Sequence, residues 1–95
     1  MNQLFTVIRP QFEALETFLG PEKLEKFVRT PINRLNPCCF GLGTYIRSHL
    51  LFPREDLYRA FWENGFLHPD DITRELIRRF HQWERAKRLF PDALP

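Results

Sequence analysis

Apolar positions recur along this chain at helical spacing, and prolines and glycines cut that pattern into short segments. From Pro10 to Leu19, the residues Phe12, Leu15, Phe18 and Leu19 follow one helical face, and Gly20 is its natural stop. Pro21 then sits where a second helix begins, with Glu22 in the first turn. Leu24, Phe27 and Val28 form its inner face, and it ends before Pro31. Residues 1–9, with Leu4, Phe5, Val7 and Ile8, admit either a helical turn kinked at Pro10 or an extended lead-in. They are expected at the periphery, as is the tail over 90–95.

Residues 30–40 read as a turn-rich connection with one helical turn. A third helix is expected from about Gly43 to Leu51, burying Leu42, Ile46 and Leu50. Pro53 opens a fourth, with Glu55 and Asp56 at its positive end. Its inner face is Leu57, Ala60, Phe61 and Trp62, and Gly65 ends it. The last helix runs from Pro69 to about Arg88. No period-2 alternation persists and β-branched residues are sparse. The pattern therefore predicts an all-α fold, a compact bundle of four to five short helices forming one domain over 1–95, with the last helix as its packing spine.

On a helical wheel Ile72, Leu76, Phe80, Trp83 and Ala86 share one face of that spine. Arg74, Arg78, His81, Arg85 and Arg88 share the opposite one. One side reads as core and the other as a basic stripe, a candidate surface for an acidic partner. Asp70, Glu75 and Glu84 each precede an arginine by four residues, the favoured order for helical ion pairs, and so partly neutralise the stripe.

Composition adds bounds rather than a function. Ten Phe, two Trp and two Tyr supply a core at a length of 95 residues. A net charge of +2 is too weak to imply nucleic acid, and no glycine-hinged turn feeds a recognition helix. Cys38 and Cys39 are adjacent, which disfavours a bridge between them, and read as free thiols in a reducing compartment. With no apolar run of membrane-spanning length and no signal pattern, the expected address is the cytoplasm.

Three constellations carry candidate chemistry. His-Pro-Asp-Asp at 68–71 suits a helix start, with His68 at or beside the N-cap, and could equally form a polar corner for a ligand. Gly41 and Gly43 bracket Leu42 before a helix, which suits a turn or close helix packing better than an anion site. Arg47 flanks the core, and a salt bridge to Asp70 or Asp71 is the default expectation. The spacings of Cys38, Cys39, His49, His68 and His81 match no zinc signature. No nucleophile is aligned with a base, so neither metal, cofactor nor catalytic residue is expected.

These residues also carry a resemblance. Gly41, Leu42, Gly43, Ile46 and Arg47, then Gly65, then His68, Pro69, Asp70 and Asp71, and finally His81 follow one order and spacing. This resembles a family of small bacterial domains of unknown function with the pattern H-x-G-L-G-x-x-I-R-N, a helix ending in glycine, H-P-D-D-M-S and a Tyr-His pair. Cys39 or a neighbour, Ser48, Thr73 and Phe80 stand where that pattern has His, Asn, Ser and Tyr. The likeness covers a little under half the chain. It implies that Arg47, His68, Asp70, Asp71 and His81 act as one cluster, as a functional site or as a buried network that fixes the fold.

The expected function is a non-enzymatic interaction module of the inhibitor, immunity or adaptor type. Its contact surface for an acidic protein partner would be Arg74, Arg78, His81, Arg85 and Arg88. An alternative is a pocket for an anionic small molecule lined by Gly41, Gly43, Arg47, His68, Asp70, Asp71 and His81. Nucleic-acid binding through the stripe ranks third. Tyr58 and Trp62 flank the inner face of the fourth helix, where an exposed patch could dimerise.

Overall fold

Leu4, Ile8, Phe12, Leu15 and Leu19 recur every three or four residues, and together they are the buried stripe of the first helix. The computed structural model describes residues 4–36 and 39–90. Helix α1 (Leu4–Arg29) contains Pro10 and is broken at Gly20 into two arms, the second starting at Pro21. The expectation of a peripheral lead-in is corrected from Leu4 onward. Leu4 and Ile8 are buried in the core, and two such side chains contribute roughly 3–6 kcal/mol. That exceeds the roughly 3 kcal/mol an interior proline costs a helix. Residues 91–95, expected to fray, lie outside the described residues.

The break has a specific cause. Gly20 adopts φ 76° and ψ 166°, a region closed to residues with a Cβ. A Cβ added there would meet nothing within 4 Å. Gly20→Ala is therefore expected to cost about 1–3 kcal/mol through the backbone alone, measurable by denaturant unfolding.

Two 3₁₀ turns (Ile32–Arg34 and Cys39–Gly41) lead to α2 (Leu42–Tyr45), which runs directly into a π-helical segment, Ile46–Leu51. There the Phe52 N–H reaches back to the Arg47 carbonyl at 3.1 Å. The wider turn lets Ile46, Leu50 and Leu51 all face the core. Helix α3 (Glu55–Glu63) follows, then α4 (Pro69–Leu89). All regular structure among the described residues is helical, and the radius of gyration, 12.9 Å, is near the roughly 12–13 Å of a compact chain this long.

The two arms of α1 grip α4 from different sides. Phe80, fully buried, lies 5.6 Å from the ring of Phe12 on the first arm and 5.2 Å from Phe27 on the second. Trp83 is packed against Phe12 at 5.1 Å, with the Arg9 guanidinium and the Lys87 ammonium each over its ring. This clamp widens the buried face of α4 beyond the wheel: Thr73, Ile77, His81 and Glu84 are buried as well. Two inner-face expectations are corrected. Trp62 is 56% exposed, and the buried face of α3 is formed by Leu57 and Phe61; Phe18 lies half outside, stacked on Tyr45 at 4.2 Å.

Candidate functional site

His68 is the N-cap of α4, its Nδ1 accepting the Asp70 N–H at 3.1 Å. Pro69 presets the first turn, and the buried Thr73 hydroxyl donates to the Pro69 carbonyl at 2.8 Å. From this start Asp70 reaches sideways, accepting from Arg47 Nη1 at 3.0 Å, while Arg47 Nε donates to the Gly43 carbonyl at 3.4 Å. The predicted bridge between the third helical segment and the last helix is thus formed, by Asp70. Asp70 is taken by Arg47 rather than by Arg74. Both partners are 39–50% exposed, and such pairs contribute about 0–1 kcal/mol.

Gly41 takes a left-handed conformation (φ 72°) at the cap of α2. A Cβ there would sit 3.7 Å from Phe18, which supports the turn reading over an anion site. Asp71 is exposed and lines a shallow groove of about 360 Å³ with Phe66, Arg74 and Arg78, away from Arg47. His81 does not join the corner. Eleven residues of helix, roughly 16 Å, separate it from Asp70.

His81 is also removed from the stripe, being only 2% exposed. Its Nε2 lies 2.8 Å from the Thr30 carbonyl, and its ring stands edge-on to Phe27 at 5.2 Å. It caps carbonyl groups left open where α1 ends. Burial holds its pKa below the usual histidine value, and the charge of Arg85 adds to this. The wheel erred here because the second arm of α1 covers what a lone helix would show to water.

Arg88 is likewise engaged internally, with Glu84 Oε1 at 2.9 Å and Glu25 Oε1 at 2.6 Å. Glu84, a residue the sequence showed only as half of a helical pair, is 0% exposed. Its Oε2 has no hydrogen-bond partner among the described residues. Burial and then the neighbouring Glu16 carboxylate push its pKa up to about 7, against the opposing pull of Arg88 and Lys87. Lys87 bridges to Glu16 at 2.7 Å.

What remains of the stripe is Arg74, Arg78 and Arg85. Arg78 and Arg79 share Glu75, whose carboxyl is held below its usual range chiefly by Arg78. Arg74 and Arg85 have no ion-pair partner among the described residues. Beside these arginines runs an apolar trough. One part, about 430 Å³, is lined by Ile32, Arg78, Arg85, Ala86, Leu89 and Phe90, with His81 and Gln82. A second, about 170 Å³, shares Ile32 and Arg78 and continues past Leu35, Ile77 and Arg74. Ile32, Leu89 and Phe90 are 45%, 69% and 63% exposed. The helical pattern did not single out these three, since Ile32 lies in a short turn and Leu89 and Phe90 lie where α4 ends.

Among the described residues no cluster of His, Cys, Asp and Glu could hold a metal ion, and no helix is long and apolar enough to cross a membrane. Cys39 is a free thiol, and Cys38 lies outside the described residues. No curated protein and no solved structure matches the chain. A family model described as Domain of unknown function (DUF6794) matches residues 8–84, from the buried stripe of α1 to the buried Glu84 of α4. The chain therefore belongs to this family of uncharacterised domains.

Proposed function

We propose that the protein is a small, non-enzymatic, cytoplasmic interaction module of bacterial type, an inhibitor, immunity factor or adaptor, which binds a protein partner through α4. The observation that carries this reading is the trough beside Arg74, Arg78 and Arg85. Apolar side chains form its floor, and two of the three arginines lack a carboxylate partner among the described residues. An apolar centre with a charged rim is the usual anatomy of a protein interface. A nucleic acid would use the arginines but leave Ile32, Leu89 and Phe90 without a purpose. The Arg47 corner supports the anionic-ligand alternative less well, because Asp70 and the Gly43 carbonyl already occupy that guanidinium.

The test is affinity capture from native lysate, with Arg74→Glu/Arg85→Glu as control. Arg78 stays, since its fork holds Glu75. The double variant is expected to melt within a few degrees of the parent, because exposed charges away from other features shift stability by about 0.5 kcal/mol or less. It is expected to lose a stoichiometric partner that the parent retains. A partner captured equally by both would remove α4 as the contact surface.

A further inference from the structure

The trough and its rim say more about the partner than that it is acidic. Resting on the reading that α4 is the contact face, we infer that the element docking there is an acidic amphipathic α-helix of the partner protein. Its apolar side chains would enter the trough, and its carboxylates would meet Arg74 and Arg85.

Shape comes first. The two parts of the trough join at Ile32 and Arg78 and follow α4 from Arg74 to Phe90. Sixteen residues of helix rise span roughly 24 Å, which matches about four turns of a partner helix lying alongside. Ala86 forms a low stretch of the wall near the wider end, and a small residue lets helices approach closely. An extended segment would need a sheet edge for its main-chain hydrogen bonds. The described residues are all helix, turn or irregular, and the trough wall offers arginine and glutamine side chains instead.

Charge then selects among helices. A second copy of this chain would bring Arg74, Arg78 and Arg85 against their own counterparts around a two-fold axis, and the carboxylates beside them, Asp71 and Glu75, leave that face net positive. A basic helix meets the same repulsion. An acidic one gains two guanidinium groups that have no ion-pair partner among the described residues, spaced about 16 Å apart along α4. Its expected pattern is apolar residues at i, i+3 or i+4, i+7 and i+11, flanked by Glu or Asp.

The experiment is a display selection of random 16-residue peptides on the intact protein. The enriched sequences are then synthesised and titrated into isotope-labelled protein. Enrichment of acidic sequences with that spacing is expected, with amide shifts confined to α4 and the Ile32 turn. Affinity is expected to weaken at least about tenfold in Arg74→Glu/Arg85→Glu, and more steeply at low salt. Ala86→Gln, which lengthens a side chain at the low wall without adding charge, should weaken it too. Basic or proline-rich winners, no enrichment, or binding indifferent to both variants would overturn the inference. If capture from lysate still depended on the arginines, only the helix would fall. If both failed, the α4 surface itself would be wrong.

Discussion

Replacing Phe80 with alanine is expected to remove about 3–5 kcal/mol of stability, the usual cost of emptying a fully buried aromatic site. Phe80 is where the two arms of α1 converge on α4, with Phe12 and Phe27 rings within 5.6 Å. Both rings are themselves buried on arms of α1 fixed by other contacts, Phe12 against Trp83 and Phe27 against His81, so collapse around the deleted ring is limited. For a domain of this size each kcal/mol moves the melting temperature by about 4–8 °C, and the variant should melt at least about 12 °C early. Guanidinium unfolding at 25 °C checks the free energy directly. Phe90→Ala is the matched control, since that ring is 63% exposed and its loss should cost about 0.5 kcal/mol or less. Equal losses at the two sites would mean that α4 is not the spine of this core.

Glu84→Gln should do the reverse and stabilise the protein, increasingly as pH rises above about 4.5. The native pKa of Glu84 is raised from 4.5 to about 7 by burial and by Glu16. Between those values the folded state holds a proton that the unfolded chain has released. The stability associated with that proton is fully present below pH 4.5 and is lost as pH rises through about 7. Full ionisation costs on the order of 3 kcal/mol. Glutamine keeps the acceptor that Arg88 uses and cannot ionise.

The charged groups around it, Glu16, Glu25, Arg9, Lys87 and Arg88, remain in both proteins. The advantage of the variant should therefore be near zero at pH 4, grow between pH 4.5 and 7, and level off by about pH 8. A constant offset across that range would show that Glu84 does not titrate as placed. His81 works in the opposite sense. With its pKa lowered by burial, its contribution is present above about 6.5 and is lost as pH falls. The parent should thus show a flatter profile than either buried group alone would give.

Most of the fold was legible because helical periodicity and its punctuation agree. Gly20, Gly65 and Pro69 stand where segments end or begin, and the bridge from Arg47 to Asp70 followed from placing an arginine at the edge of a core. The failures share a cause. A wheel treats a helix as having one wet side, and α4 is enclosed on two because α1 bends at Gly20. His81 and Glu84 were therefore assigned to water or to a surface pair when tertiary contact had buried them. At the N-terminus, Pro10 outweighed in the reading the stripe that Leu4 and Ile8 continue in the molecule. The trough was illegible for a different reason. Ile32 comes from a 3₁₀ turn nearly sixty residues before Leu89 and Phe90, and no local pattern brings that turn beside the end of α4.

The grip of α1 on α4 also dictates when this domain can come into being. Phe12 waits for Phe80 and Glu16 for Lys87, partners about seventy residues downstream. A nascent chain emerging from a ribosome would present the greasy faces of α1 long before α4 exists to cover them. The earlier helices cannot complete a core alone, so folding must await nearly the whole of α4. Closing so long a loop first slows the search, and throughout that interval the chain is open to aggregation. Until the last turns of α4 are released, the contacts that Phe80 and Lys87 make with α1 cannot form.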